Sequence, residues 1–224
     1  MEILRSHADT RSETYRENRE GFLEQIALLN EQLELVRAGG GEKYVKRHTG
    51  RGKLMARERI ELLLDRDSPF LELMPLAAWG TDFHLGGSVI SGIGVVSGVE
   101  CVITANEPTV RGGSLNPYSL TKSVRTMEIC QRNRMPIVNL TESGGADLPF
   151  QSQIFVPGGR GFREITRRSA ERIPTVCLVF GSSTAGGAYI PGMSDYVVMV
   201  KQGAKVFLGG PPLVKMAIHE DSTE

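Results

Sequence analysis

Two glycine-rich runs carry the only spacing in this chain that suggests chemistry. The first is Glu142-Ser143-Gly144-Gly145-Ala146-Asp147, straight after the apolar run 136–140 and Thr141. The second is Gly181-Ser182-Ser183-Thr184-Ala185-Gly186-Gly187-Ala188-Tyr189, straight after the apolar run 174–180. No Lys-Ser or Lys-Thr closes either run, so neither is a phosphate-binding P-loop. Neither reads G-x-G-x-x-G, and Ser143 lacks the upstream glycine of a nucleophile elbow. What such loops can offer is main-chain N–H groups. Glycine lets a ligand touch the backbone, and a helix opening there aims unpaired donors and partial positive charge at it. Two loops on neighbouring strands can converge on one oxygen, as an oxyanion hole suited to a thioester enolate does. The bland alternative is that glycines after strands simply turn the chain.

The elements that must position these loops alternate strand and helix. Residues 118–133 read as a helix, 136–140 as a buried strand, 161–172 as a helix, and 174–180 as a second buried strand. A short helix starts at Gly186, and strands follow at 196–200 and 204–208. This alternation implies right-handed βαβ units and an α/β fold. Upstream, the β-branched runs 89–90, 93–96 and 101–104, separated by glycine or Ser-Gly, read as a small antiparallel meander entering the sheet. Residues 12–37 read as one long amphipathic helix with Phe22, Ile26, Leu29, Leu33 and Val36 on one stripe, stopped by Gly39 to Gly41. That stripe is expected to dock on the parent domain rather than to form a dimer seam. Residues 43–53 read as a basic, glycine-punctuated linker, and 56–64 as a second helix carrying Ile60, Leu63 and Leu64.

Composition narrows the partners. The 224 residues are 40% hydrophobic and 23% charged, which fits a globular rather than a disordered chain. Lys plus Arg and Asp plus Glu both total 26, so no overall charge points to nucleic acid or an acidic membrane. Cys101, Cys130 and Cys177 are odd in number and far apart, which argues against a disulfide framework or a zinc site and for buried reduced thiols. No metal is expected. No window approaches a membrane span, and the start resembles neither a signal nor a transit peptide. A cytoplasmic, bacterial setting is expected in preference to the mitochondrial matrix.

Four segments, in order, resemble the carboxyltransferase β-subunits of biotin-dependent acyl-CoA carboxylases. They are RGKLMARERIELLLDRDSPFLEL (51–73), SGIGVVSGVECVITANEPTVRGG (91–113), LTESGGADLP (140–149) and STAGGAYIPGMSDYVVMVKQGAKVFLGGPPLVK (183–215). The likeness runs from about residue 20 to the last residue and lies nearest the methylcrotonyl-CoA type. The chain departs from the family in the stretch 148–162, notably at 157–160, and in holding Glu142 where the family usually has Asp. These departures bear on the acyl group.

The resemblance implies a crotonase-like βαβ superhelix. Residues 1–50 would form an N-terminal helix and basic linker, and 51–224 the acyl-CoA-binding, N-terminal carboxyltransferase domain. The biotin-binding second domain would be absent and the fragment inactive alone. The implied reaction is carboxyl transfer from N1′-carboxybiotin, carried by a biotin carboxylase/biotin carboxyl carrier subunit, to an acyl-CoA, with a 3-methylcrotonyl-like acyl group favoured and propionyl- or acetyl-CoA as alternatives. Coenzyme A enters as part of the substrate, and a homo-oligomer, hexameric in the family, is implied.

In this scheme Gly186 and Gly187 form the thioester oxyanion hole, with Gly145 or Ala146 as the opposing wall. Asn106, Thr109, Arg111, Gly112, Gly113, Gly144 and Ala185 line the CoA and acyl path, and Phe162 and Tyr189 shape the acyl pocket. Arg51, Lys53 and Arg57 would meet the CoA phosphates. The four histidines show no motif, so no histidine base is expected. Two rivals remain. A hydratase, isomerase or thioesterase of the same fold would want a carboxylate where Tyr189 stands; a non-catalytic CoA-binding fragment would need none of this chemistry.

Overall fold

A computed structural model of the chain describes residues 6–223. Its centre is a seven-stranded sheet. β1 (Leu71–Glu72), β2 (Val89–Val96) and β3 (Val99–Asn106) are antiparallel neighbours. β3 then pairs in parallel with β4 (Ile137–Ser143), β4 with β5 (Thr175–Thr184), and β5 with both β6 (Tyr196–Met199) and β7 (Lys205–Phe207). The α/β reading therefore holds. The parallel strands need crossovers, and α4 (Pro117–Asn133) and α5 (Gln151–Ala170) supply them. α4 starts with Asn116 as its cap, whose side chain accepts from the Ser119 N–H at 2.8 Å, and with Pro at its first position.

The core has two patches. Ile103, Ala105, Val138 and Leu140 face α3 (Ala56–Leu63), while Val102, Ile137, Ile173 and Cys130 pack together on the other side. β4 is buried along its whole length, as expected of a central strand covered on both faces.

Several expected boundaries move. The runs 89–90 and 93–96 are one strand, because Ser91-Gly92 does not turn the chain. A Cβ at Gly92 would meet the Phe70 ring and one at Gly94 the Leu64 side chain, so these glycines admit side chains over the strand. α5 begins ten residues earlier than the expected 161 and runs through Pro157, Gly158 and Gly159. An interior proline costs about 3 kcal/mol, and packing opposes it: Ile154 and Ile165 are buried, and Arg160 pairs with Glu128 of α4. The basic linker contains a helix, α2 (Glu42–Thr49), with Glu42 in its first turn and Lys46, Arg47 and His48 in its last, as the helix dipole favours. β4 and β5 run on into the glycine motifs as far as Ser143 and Thr184, since Ser143 pairs with Ser183 and residues 182–184 pair with β7. A further helix, α7 (Pro211–Ile218), was not anticipated.

The long helix α1 (Glu13–Arg37) forms with the expected limits but does not dock along its stripe. Phe22, Ile26 and Leu29 are exposed, and contact is confined to the last turn, where Val36 packs against Gly86. No helix among the described residues is long and apolar enough to cross a membrane.

Candidate functional site

The two glycine motifs meet at the C-terminal ends of β4 and β5. What remains of them as loop is short: 144–147 after β4, and the 3-10 turn Ala185–Ala188 leading into α6 (Tyr189–Gly192) after β5. They press on one another through their glycines. Gly145 has φ +88°, and a Cβ there would stand 3.0 Å from the Thr184 carbonyl. A Cβ on Gly187 would stand 3.2 Å from the Ser143 side chain. Gly186 differs: it is exposed, and a Cβ there would meet nothing closer than the Phe162 ring at 3.8 Å.

Hydrogen bonds fix the first loop. Gly144 N–H donates to the Gly112 carbonyl at 2.9 Å, and Gly145 N–H to Ser143 Oγ at 3.1 Å. The Gly145 carbonyl and Asp147 N–H form a parallel bridge to Leu115, both at 2.8 Å, with Ala146 between them contributing neither group. Ser143 Oγ in turn donates to the Gly113 carbonyl at 3.1 Å, and Ser183 Oγ to the Gly187 carbonyl at 2.9 Å. The segment 106–113 is thus the cradle of the first loop. Asn106 Oδ1 accepts from Glu142 N–H at 3.2 Å, and Arg111 meets the Asp147 carboxylate at 2.9 Å. Thr109 is buried; its hydroxyl accepts from Gly40 N–H at 2.9 Å and donates to Glu107 at 2.5 Å.

Two hollows adjoin this junction. A cavity of about 550 Å³ is walled by both loops, by α4 and by α5. Asn106, Gly144, Gly145, Ala146, Phe162, Ala185, Gly186, Gly187 and Tyr189 all line it, and the Phe162 and Tyr189 rings pack 4.7 Å apart at its mouth. Its only titratable linings are Arg168 and Tyr189. A smaller cleft of about 380 Å³ opens on the opposite side of Ser143 and Gly144 and is rich in cations: Arg47, His48, Arg51, Lys53 and Lys205. Thr109 and Gly112 reach this cleft; Arg111, Gly113 and Arg57 line neither hollow.

The three cations expected at phosphates have different surroundings. Arg51 is exposed at the cleft. Lys53 reaches Glu142 Oε1 at 2.5 Å, and Arg57 is held by Glu72 through two bonds of 2.7 and 2.9 Å. Glu142 also accepts from Arg59 at 2.8 Å, and Arg59 lies 4.5 Å over the Phe180 ring. Sequence reasoning passed over Arg59 and over Glu142 as an ion-pair partner, because residues 83 and 89 positions apart leave no pattern. It also passed over Arg168, although a cation three residues after the buried Ile165 sits at an apolar helical spacing and is a visible signal.

Comparison with known proteins follows the same lines. Residues 47–224 match the family model described as a carboxyl transferase domain. The chain is 56% identical over 222 residues to a probable biotin-dependent acyl-coenzyme A carboxylase beta2 subunit of Mycobacterium tuberculosis, covering 99% of this chain and 42% of that protein. It is 45% identical over 225 residues to a probable mitochondrial methylcrotonoyl-CoA carboxylase beta chain of Drosophila melanogaster, covering 98% of this chain and 39% of that one. Among solved structures, the beta subunit of P. aeruginosa geranyl-CoA carboxylase superposes with a TM-score of 0.88 at 43% identity, over 98% of this chain and 41% of that one. The chain thus spans about two fifths of the length of these relatives.

Proposed function

The chain belongs to the carboxyl transferase domain family, and on that premise we propose that it forms the acyl-CoA side of a carboxyltransferase site in a biotin-dependent acyl-CoA carboxylase. The observation that carries this reading is the cavity walled by both glycine loops and backed by a cationic cleft. An acyl thioester has a matching anatomy: an apolar acyl group, a carbonyl that becomes an oxyanion, and a phosphorylated tail.

The residues fit chemistry whose base is brought in. No carboxylate, histidine or lysine lines the cavity, and the nearby Glu142 and Asp147 are committed to ion pairs. A biotin on a partner subunit supplies the activated carboxyl group and the base. The chain's own residues bind, orient and polarise. Gly186 and Gly187 bring main-chain N–H groups to the thioester oxygen. Gly145 is engaged with Ser143, which leaves Ala146 as the donor of the opposing wall. One such donor is worth roughly 3 kcal/mol of barrier. Phe162, Ala185 and Tyr189 shape the acyl pocket and exclude water. Arg51 is the phosphate contact, while Lys53 and Arg57 serve chiefly to hold Glu142 and Glu72. The assembled protein is a homo-oligomer working with a biotin carboxylase/biotin carboxyl carrier subunit.

A branched, unsaturated acyl group of the 3-methylcrotonyl kind is the favoured substrate. The test is carboxyl transfer from carboxybiotin to a panel of acyl-CoAs by the protein with its partner subunit. Higher kcat/KM for 3-methylcrotonyl-CoA than for acetyl- or propionyl-CoA is expected, and the reverse ranking refutes the acyl assignment. Absence of any acyl-CoA binding by calorimetry refutes the whole reading.

A further inference from the structure

The cavity does not stop at the loops. Its lining runs from Gly186 and Gly187 at the C-terminal ends of the strands to Ile137 and Thr175 at their N-terminal ends. Along β4 that is about 20 Å, at ~3.3 Å per residue. Leu120, Met127, Ile154 and Ile165 make the stretch between apolar. The far end is polar. Thr104 donates to Asn139 there at 2.8 Å, and Arg168 lines it from the C-terminal part of α5.

Arg168 is only 2% exposed, and its Nε and Nη1 atoms have no hydrogen-bond partner among the described residues. The charged and titratable groups about it are few. The Cys130 thiol of α4 is beside it, and Glu164, one turn back on α5, attracts it. Glu164 is already engaged by Arg163 at 3.0 Å and Arg167 at 3.7 Å. Burial lowers the Arg168 pKa, yet a guanidinium remains charged in a protein. A buried cation with N–H groups left over is costly by itself and is matched by an acceptor, above all an anionic one.

We propose that the far end of this cavity is a binding subsite for a carboxylate at the distal end of an acyl chain, with Arg168 as the residue that selects for it. The inference rests on the acyl-CoA reading above and narrows it to substrates of medium or long chain bearing a second acid group. The thioester sits at the glycine loops, the chain follows the apolar stretch, and the terminal carboxylate meets Arg168. A methyl-terminated chain fills the same apolar stretch but leaves the guanidinium unmatched.

The test is calorimetric binding of paired CoA thioesters to the protein: suberyl against octanoyl, sebacyl against decanoyl, dodecanedioyl against dodecanoyl. At least one diacid is expected to bind about tenfold or more tightly than its methyl-terminated partner, as a charge-assisted hydrogen bond in a buried site provides. R168M should erase the preference, and R168K should keep part of it. The ligand-free melting temperature of R168M should be unchanged or higher, because no partner is lost. Equal binding within every pair overturns the proposal, as does a diacid preference that survives in R168M, and both leave the acyl-CoA reading standing. If no acyl-CoA binds at all, acetyl-CoA included, that reading falls and this one with it.

Discussion

Gly181 makes the sharpest test of how the first loop is held. It lies in β5 with no positive φ, so alanine is compatible with its backbone, and a Gly-to-Ala change in such a place stabilises by about 0.4–1 kcal/mol through the unfolded chain. Here the sign should reverse. A Cβ at Gly181 would fall 2.5 Å from Glu142 Oε1, 2.6 Å from Cδ and 2.8 Å from Cγ. That carboxylate cannot step aside cheaply, because Lys53 holds one oxygen at 2.5 Å and Arg59 the other at 2.8 Å. The Arg59 side chain is 3% exposed, so displacing Glu142 strands a buried cation. Breaking such a pair costs about 3–5 kcal/mol, and after the unfolded-state gain G181A should lose about 2–4 kcal/mol. Urea unfolding of G181A, E142A and the double variant isolates the cause. E142A should itself cost about 3–5 kcal/mol. Adding G181A to it should then change stability by less than about 1 kcal/mol, since the group in the way is gone. A neutral G181A, or penalties that add to within about 0.5 kcal/mol, would refute the clamp.

Three other outcomes follow from the same geometry. G187V places a β-branched side chain against Ser143 at the proposed oxyanion hole, so kcat for carboxyl transfer should fall by roughly two orders of magnitude or more with far-UV circular dichroism intact; S182A, H48A and H84A should stay within about tenfold, and a near-dead serine or histidine variant beside an active G187V would mean side-chain catalysis. R51A should raise the KM for acyl-CoA several-fold and flatten its salt dependence, whereas R57A, whose guanidinium already serves Glu72, should leave KM unchanged; equal effects would undo the distinction. Lys122 is buried with its ammonium 3.3 Å from the Gly86 carbonyl, and burial lowers its pKa from 10.5 to about 8. Between about pH 8 and 10.5 the unfolded chain binds the extra proton, so stability should rise with pH across that window by an amount on the order of 3 kcal/mol. K122M should remove the rise and be the more stable protein at pH 7, as unfolding free energies at the two ends of the window will show.

Much of the frame was legible because it rests on local rules. Glycine after an apolar run marks the end of a buried strand, and β4 and β5 end in the two motifs for that reason. Periodic leucine and isoleucine with a glycine stop delimited α1, and Asn116-Pro117 opens α4 as a cap and first turn should. The same local rules misplaced elements whose shape depends on a neighbour. Ser91-Gly92 looked like a turn because nothing in the sequence shows Phe70 folding over it. Pro157-Gly158-Gly159 looked like a helix break because the packing of α5 on α4 that outweighs it is long-range. The stripe on α1 looked like a docking face because amphipathicity records that a helix has an apolar side, not what lies against it.

The candidate site divides in the same way. That main-chain donors in two glycine loops are what this chain has to offer was readable from residue types alone, because no side-chain base or nucleophile stands in a motif. Sequence also identified the nine residues that line the cavity around the loops. Which amides are already spent was decided only in three dimensions, where Gly144 and Gly145 bond to Gly112 and Ser143. So was the difference between Arg51 and its neighbours Lys53 and Arg57, since an ion pair to Glu142 or Glu72 depends on strands and helices meeting across long sequence separations. Arg168 is the extreme case. Its charge is plain in the sequence, but a guanidinium's meaning depends on whether water, an acid or an empty apolar cavity surrounds it, and only the packing of α5 against the sheet determines that.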